Sequence, residues 1–211
     1  MPPKSFSYLH EIPHIREGID HLLLNDRVFK KLDVAPEQLL WRYTPPGYDS
    51  FVRIVIGQQV STKAAQSIWE RFEKEFKTVT PAKLLKRHDD ELRALGLSGQ
   101  KVKYIRGLSE AVHGKSFDPH ALEHLDDDSV YQAITALKGF GRWSAEMYLM
   151  FSLARPDIWA PADLGIQNGL KIYHKRDARP TAEEALKMGK KFAPHRTAAS
   201  VLLWYMASTK A

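Results

Sequence analysis

A pair of glycines between two segments of helical pattern offers the first residues that could do chemistry. Gly139 and Gly141 follow the apolar Leu137, and a new helical pattern begins at Trp143. Glycine permits positive φ and lets another backbone come close. The start of the new helix would present N–H donors and the positive end of its dipole, which favour a phosphate. The pattern therefore predicts a sequence-independent contact with a DNA backbone. An ordinary helical corner with a glycine cap remains the alternative.

An acidic residue, Asp163, lies 24 residues after Gly139, where another helix is predicted to begin. Aspartate is a favoured N-cap, because its side chain accepts a hydrogen bond from the first helical turn. A carboxylate at this place is therefore a cap by default and a catalytic group by exception. Neither the glycine pair nor Asp163 decides by itself between the structural and the functional interpretation.

The order of several short motifs resembles that of the helix-hairpin-helix DNA glycosylases, whose hairpin precedes a catalytic aspartate by about this interval. Residues 54–61 resemble the family's Gly-Gln-x-Val-Ser segment at the loop that enters DNA. Residues 95–98, followed by a basic helix, resemble its Gly-Leu stretch, and residues 202–205 resemble the C-terminal helix that brings a tryptophan to the base pocket. The resemblance covers roughly residues 50–205, in order, and is greatest to the 3-methyladenine DNA glycosylases of type II, which repair alkylated DNA.

This resemblance implies an N-glycosyl hydrolase and assigns roles to four residues. Bifunctional relatives carry a lysine nucleophile right after the hairpin; Trp143 stands there in this chain, so the resemblance implies base release without strand cleavage. Alkylation makes a purine cationic and weakens its bond to the sugar. Asp163 would stabilise the oxocarbenium-like state and orient water. Trp143 and Trp204 would hold the cationic base by stacking and cation–π attraction, with Met147 one turn after Trp143.

By the same resemblance, a second group of residues would contact the duplex. Gln59 falls where close relatives carry a wedge that fills the space left by the flipped base. The other predicted DNA contacts are Gln58, Gly139, Gly141, Arg142, Lys101, Lys103 and Arg106. The family's hairpin often holds Na⁺ or K⁺ on backbone carbonyls, and the matching positions are Thr135, Leu137 and Gly139. We expect no required cofactor, and a monomer whose partner is damaged double-stranded DNA.

Composition agrees with an intracellular protein that binds nucleic acid. The chain has 211 residues, a formal net charge of +6, 44% hydrophobic residues and no cysteine. Positive charge favours polyanionic partners, and the lack of cysteine excludes disulfides, thiolate zinc sites and cysteine-held iron–sulfur clusters. No apolar run approaches the roughly 20 residues that cross a bilayer, and residues 1–5 lack the apolar core of a secretion signal. We expect no membrane partner, and a location in the cytoplasm or nucleoid of a bacterium or the nucleus of a eukaryote.

Helical periodicity runs through nearly the whole chain and strand alternation is nowhere sustained, so we predict an all-α fold. The resemblance implies two helical lobes flanking a cleft for DNA and the base, one made of residues 1–50 and 170–211 and the other of residues 51–169. Ser61 is the predicted N-cap of a long amphipathic helix that ends at Phe76. The other predicted helices cover residues 15–24, 36–41, 81–87, 101–112, 129–137, 143–153, 164–173, 182–192 and 197–207, together with one that is capped by Asp49 or Ser50 and runs to about Ile56.

Two of the three remaining tryptophans have no site motif around them. Trp41 and Trp69 are interpreted as core residues. Trp159, just before the segment that carries Asp163, is left open between the core and the neighbourhood of the pocket.

Other functions stay open on the sequence alone. A non-catalytic helix-hairpin-helix DNA-binding module is disfavoured by the retention of Asp163 and of both pocket tryptophans. A bifunctional glycosylase/lyase for oxidised bases is disfavoured by Trp143, and a helical protein unrelated to DNA by the ordered motifs. The sequence does not choose among the lesions 3-methyladenine, 7-methylguanine, hypoxanthine and ethenoadenine.

Overall fold

The computed structural model describes residues 6–209 of the chain. Residues 1–5, for which we predicted no secretion signal, and residues 210–211 lie outside the described residues. All regular elements within residues 6–209 are helices, apart from an isolated β-bridge between Tyr8 and Arg42. The predicted all-α class is confirmed. None of the helices in this range is long and apolar enough to cross a membrane.

Eleven α-helices are formed within the described residues. They are α1 (Pro13–Asn25), α2 (Tyr48–Gly57), α3 (Thr62–Phe76), α4 (Pro81–Leu85), α5 (Asp89–Ala94), α6 (Gly99–His113), α7 (Asp127–Thr135), α8 (Arg142–Phe151), α9 (Leu164–Tyr173), α10 (Ala182–Gly189) and α11 (Arg196–Thr209). Short 3-10 turns lie at Leu9–Glu11, Phe29–Lys31, Pro36–Gln38, Ala121–His124 and Lys190–Phe192.

The described chain divides into two compact units. One comprises the described residues of Met1–Thr44 and Leu149–Ala211, and the other is Pro45–Tyr148. This differs from the lobes predicted from the sequence, which placed residues 51–169 together. Residues 149–169 group with the chain ends because α9 packs along α11, and because Asp157 is ion-paired with Arg196 at the start of α11, at 2.7 Å.

The unit formed by the chain ends is built around α11. Residues 197–203 of this helix are all buried, which marks it as the central helix of its unit. Both α1 and α9 pack against it. The burial of α11 fixes the position of the next residue, Trp204, and the packing of α9 on α11 fixes the start of α9 nearby.

An aromatic core lies beneath the glycine pair in the other unit. Phe51 of α2 stacks on Tyr148 of α8 with ring centroids 4.4 Å apart, and it meets Phe140 edge-on at 5.6 Å. All three rings are buried. Aromatic pairs in these geometries stabilise a core beyond the area that they bury. Phe140, between the two glycines, therefore anchors the hairpin to the interior.

Most of the predicted helices are present, and their ends have local causes. The predicted N-cap of α3 is confirmed, because Ser61 Oγ accepts a hydrogen bond from the backbone N–H of Ala64 at 3.2 Å. The prediction missed α5, whose first turn consists of acidic residues that complement the positive end of the helix dipole. The helix predicted over residues 36–41 is only the 3-10 turn Pro36–Gln38.

Candidate functional site

Asp163 is the N-cap of α9. Its Oδ1 accepts a hydrogen bond from the backbone N–H of Ile166 at 2.9 Å, as a helix cap does. The same oxygen accepts a second hydrogen bond from Nε1 of Trp204, at 2.8 Å. Capping needs only the first of these bonds. The second joins a half-buried carboxylate to an aromatic ring from another helix, which an ordinary cap does not require.

The space that the indole of Trp204 occupies is left by Gly165. A Cβ at this position would lie 2.5 Å from Cδ1 and 2.8 Å from Nε1 of Trp204, closer than side chains tolerate. A larger residue at position 165 would therefore push the indole away from Asp163. Gly165 could not be identified from the sequence, because a glycine inside a helix shows no signal until its neighbour in space is known.

Trp204 belongs to a cluster of stacked aromatic rings. Its ring centroid lies 5.5 Å from that of Phe151 and 6.3 Å from that of Trp41, with interplanar angles of 23° and 18°. All three residues are half-buried, so the interpretation of Trp41 as a core residue is corrected. No motif surrounds Trp41, and its contact with Trp204 depends on the fold. Phe151 could have been predicted as a site residue from the sequence, because it lies two helical turns after Trp143 and so on the same side of the helix.

Trp69 and Trp159 are core residues. Trp69 is 4% exposed, as predicted for a core residue. Trp159, which the sequence left open, is also 4% exposed. Its Nε1 donates to the carbonyl of Ala185 at 2.9 Å, and its ring lies against Gly189. Trp159 is therefore a packing residue.

The two hairpin glycines differ in what requires them. Gly139 has φ +91°, in the left-handed region, and a Cβ there would overlap the ring of Tyr104 on α6. A Cβ at Gly141 would meet no described atom within 4 Å, and the Gly141 carbonyl accepts the N–H of Ser144 at 3.0 Å as α8 begins. Internal packing thus explains Gly139, whereas Gly141 presents an open backbone face at the start of a helix.

Gln58 is engaged with this hairpin. Its Nε2 donates to the carbonyl of Gly139 at 2.9 Å and lies 3.3 Å from Oγ of Ser144. The side chain is half-buried and joins the end of α2 to the hairpin. These bonds give Gln58 a structural role, and its contact with DNA stays a prediction. Its donor atoms are used within the protein.

The stretch from α2 to the segment before α11 matches a known family. Residues 52–195, more than half of the chain, match the model of the HhH-GPD superfamily of base excision DNA repair proteins. The chain belongs to the HhH-GPD superfamily. It is 34% identical to DNA-3-methyladenine glycosylase 1 of Schizosaccharomyces pombe over 161 residues, which are 74% of this chain and 71% of that protein.

Solved HhH-GPD structures have the same fold. The 3-methyladenine DNA glycosylase Mag1 of S. pombe, solved in complex with abasic DNA, superposes with a TM-score of 0.78 at 31% identity, covering 92% of this chain and 97% of that one. A DNA-3-methyladenine glycosidase from Bacillus halodurans gives a TM-score of 0.66 at 31% identity, covering 97% and 93%.

In this HhH-GPD chain the loop after α2 exposes the predicted wedge. Gln59 is exposed and has φ +55°, and the next residue, Val60, is 39% exposed. Left-handed backbone is unfavourable for a residue with a Cβ, and such residues concentrate at functional sites. The exposure of Gln59 is what a wedge needs, and its role in flipping stays a prediction.

The predicted basic helix is α6, and its cations have different surroundings. Lys101 Nζ donates to the carbonyl of Ile56 at 2.8 Å, and burial lowers the pKa of this ammonium. Arg106 is paired with Asp89. Lys103 is exposed. Lys101 and Arg106 therefore stabilise their own unit, and the contacts of all three cations with phosphate stay predictions.

The first residue of α8, Arg142, stays accessible while it is held in place. Its side chain is 70% exposed, yet Nε donates to the buried Glu146 at 3.0 Å and the guanidinium lies 4.8 Å from the ring centroid of Tyr131. Glu146 was not predicted as a partner of Arg142, although its i, i+4 spacing from this arginine is visible in the sequence. Trp143 is half-buried and Met147 is 6% exposed; their roles at the base stay predictions.

The carbonyls predicted to hold a monovalent cation belong to the hairpin. The carbonyl of Leu137 accepts the N–H of Phe140 at 3.1 Å, and that of Gly139 accepts the amide of Gln58. A carbonyl oxygen has two lone pairs, so both retain capacity for a second partner. Within residues 6–209, no group of three or more His, Cys, Asp or Glu could hold a metal ion, which does not bear on a backbone site. The cation at Thr135, Leu137 and Gly139 stays a prediction.

Proposed function

We propose that this chain is a monofunctional DNA glycosylase that hydrolyses the N-glycosidic bond of alkylated purines in duplex DNA during base excision repair. The observation that carries the proposal is the carboxylate of Asp163, held at 2.8 Å by the indole N–H of Trp204 inside an aromatic cluster. A module that only bound DNA would use this carboxylate as a helix cap but would not need its bond to an aromatic ring. The similarity to proteins named as 3-methyladenine DNA glycosylases supports the same activity.

The chemistry needs a negative charge more than it needs a proton donor. A purine alkylated at N3 or N7 is cationic, so the electrons of its bond to the sugar C1′ leave with the base and make it neutral. The sugar then carries the positive charge, which the Asp163 carboxylate stabilises. A water oxygen bonds to C1′ and loses a proton, which completes hydrolysis. Trp204 supplies an electron-rich ring to the cationic base before the bond breaks.

The hairpin would hold the DNA backbone without reading its sequence. The open face at Gly141, the first-turn N–H groups of α8 and the exposed guanidinium of Arg142 suit a phosphate. The formal net charge of +6 adds a general attraction for the duplex. We propose that the protein works as an intracellular monomer with no required cofactor, with Na⁺ or K⁺ at the hairpin as an accessory.

The decisive test of this function is base release from duplexes that each carry one lesion, 7-methylguanine, 3-methyladenine or hypoxanthine. We expect release of the cationic bases, with strand breaks only after alkali, because Trp143 stands where a lyase carries its nucleophilic lysine. Borohydride should trap no covalent enzyme–DNA product. A trapped adduct would place the protein among the bifunctional enzymes, and intact bases in every duplex would remove the proposed activity.

Two lysines of α6 should respond differently to substitution by alanine. Each neutralised phosphate adds about −0.9 to the log–log salt slope of duplex binding. Lys103→Ala should make that slope shallower by about this amount with unchanged stability, since Lys103 is exposed. Lys101→Ala should lower the free energy of unfolding by about 1 to 3 kcal/mol, because it removes the ammonium that bonds the Ile56 carbonyl.

Salt titrations of duplex affinity and urea unfolding of the same preparations check both lysine substitutions. An unchanged slope for Lys103→Ala would place that residue away from the DNA. An unchanged unfolding free energy for Lys101→Ala would show that its bond to α2 contributes nothing to stability.

A further inference from the structure

We propose that Trp204 is a positioning residue for Asp163, and that its indole N–H, separately from its ring, sets the orientation of the carboxylate for the reaction. The proposal rests on the function proposed above. It goes beyond base stacking, the role that the resemblance assigns to this tryptophan, because it concerns the hydrogen bond from the indole N–H to Asp163 and not the face of the ring. It also gives Gly165 a role as the residue that makes the contact possible.

The geometry at Oδ1 supports this role. Oδ1 accepts from Ile166 N at 2.9 Å and from Trp204 Nε1 at 2.8 Å, so two donors from different helices fix the same atom. The two donors approach that oxygen from different helices, so together they constrain the carboxylate more than the cap bond does by itself. Two bonds from rigid elements define where the carboxylate plane lies. Hydrogen bonds to a charged acceptor are the strong ones, so the second donor holds the carboxylate firmly.

The indole itself is held where it can donate. Its helix, α11, is buried over residues 197–203, and its ring is stacked on Phe151 and Trp41. The absence of a side chain at Gly165 lets the pyrrole edge of the indole, with Cδ1 and Nε1, lie over the first turn of α9. The aromatic cluster and the glycine therefore serve the same contact, one by holding the ring and the other by making room for it.

The substitution Trp204→Phe separates the two roles. Phenylalanine keeps an aromatic face in the cluster and removes the N–H donor. We expect the single-turnover rate of 7-methylguanine release to fall about 10- to 100-fold, the value of one hydrogen bond to a charged group. The affinity for a duplex with a tetrahydrofuran abasic analogue should stay within about threefold, since binding does not need the carboxylate to be oriented.

Gly165→Ala tests the same contact from the other side. Its methyl group would overlap the indole and also lie 3.1 Å from Oδ1 of Asp163, so it should reduce the rate at least as much as Trp204→Phe does. In the double variant the two losses should be less than additive, because both changes break the contact between Trp204 and Asp163. Full additivity would mean that Gly165 acts through something other than Trp204.

Trp69→Phe is the matched control. Trp69 Nε1 is buried and has no hydrogen-bond partner among the described residues, so the same substitution there removes an indole N–H without losing a bond. Its rate should match that of the wild type. Thermal melts of all four variants verify that differences in rate arise in folded protein.

A spectroscopic measurement keeps this inference separable from the proposed activity. The indole ¹H–¹⁵N resonance of Trp204, assigned as the peak lost in Trp204→Phe, should move strongly in Asp163→Ala, while that of Trp69 stays in place. If the wild-type enzyme releases no base but the Trp204 resonance still moves in Asp163→Ala, the proposed function is wrong and the hydrogen bond is present. An unmoved resonance, a rate for Trp204→Phe within twofold of the wild type, or equal losses in rate and affinity would overturn the positioning role.

Discussion

Asp163→Asn is expected to slow base release by about 100- to 1000-fold while DNA binding survives, an effect of the size seen when one electrostatic contact to a developing charge is lost. Asparagine keeps the Oδ1 acceptor, so both hydrogen bonds, from Ile166 N and Trp204 Nε1, can persist. Aspartate and asparagine are also comparable as N-caps, so α9 should stay folded. Only the negative charge, which we propose acts on the sugar, is removed.

Single-turnover release of 7-methylguanine, binding to abasic-analogue DNA and a thermal melt together check this expectation. Turnover close to that of the wild type would show that Asp163 is only the cap of α9 and that the charge-stabilisation mechanism is incorrect. Asp163→Ala serves as the structural comparison, because it loses the cap as well as the charge. It should therefore be less stable than Asp163→Asn, by about 0.5 to 2 kcal/mol.

The second large effect is expected at the hairpin, where the same substitution at two glycines should give opposite results. Gly139→Ala should lower the free energy of unfolding by about 2 to 4 kcal/mol, because its φ is +91° and its methyl group would overlap the ring of Tyr104. Gly141→Ala should change stability by less than about 0.5 kcal/mol, since its methyl group meets no described atom within 4 Å.

Duplex binding should reverse that order for correctly folded protein. A methyl group on the open face at Gly141 would keep a phosphate from the first turn of α8, and affinity should fall about tenfold. Urea unfolding and binding measurements on both variants check the contrast. Adding Tyr104→Ala to Gly139→Ala should recover the part of the stability loss that is steric and not the part due to φ. A stable Gly139→Ala protein would contradict the packing explanation.

The sequence predicted the helices well because their signals are local. Apolar periodicity and caps such as Ser61 act within a few residues, and α9 was predicted with the bounds that the structure shows. The grouping of residues 149–169 with the chain ends could not be predicted in this way. It depends on α9 against α11 and on the pair of Asp157 and Arg196, which are contacts between distant parts of the chain.

The candidate site shows the same difference between what local sequence predicts and what the fold determines. Motif order alone selected Asp163 and Trp204, and the structure places them in contact. The adjacent residues Gln58 and Gln59 could not be distinguished by type, because only the fold determines that one amide meets the Gly139 carbonyl and the other faces outward. Lys101 and Lys103 differ for the same reason. A basic residue in a motif predicts charge, whereas its surroundings decide whether a phosphate can reach it.

The aromatic cluster also suggests where the enzyme could be engineered. Of its three rings, only that of Trp204 is bonded to the carboxylate; Phe151 and Trp41 contact the indole by stacking. Libraries that aim to change which damaged bases are accepted should therefore leave position 204 fixed and restrict positions 151 and 41 to aromatic residues, because stacking on these rings holds the indole. Such a design keeps the hydrogen bond between Trp204 and Asp163 while it changes the shape of the aromatic stack, so that lesion preference can be selected for without loss of the catalytic carboxylate's position.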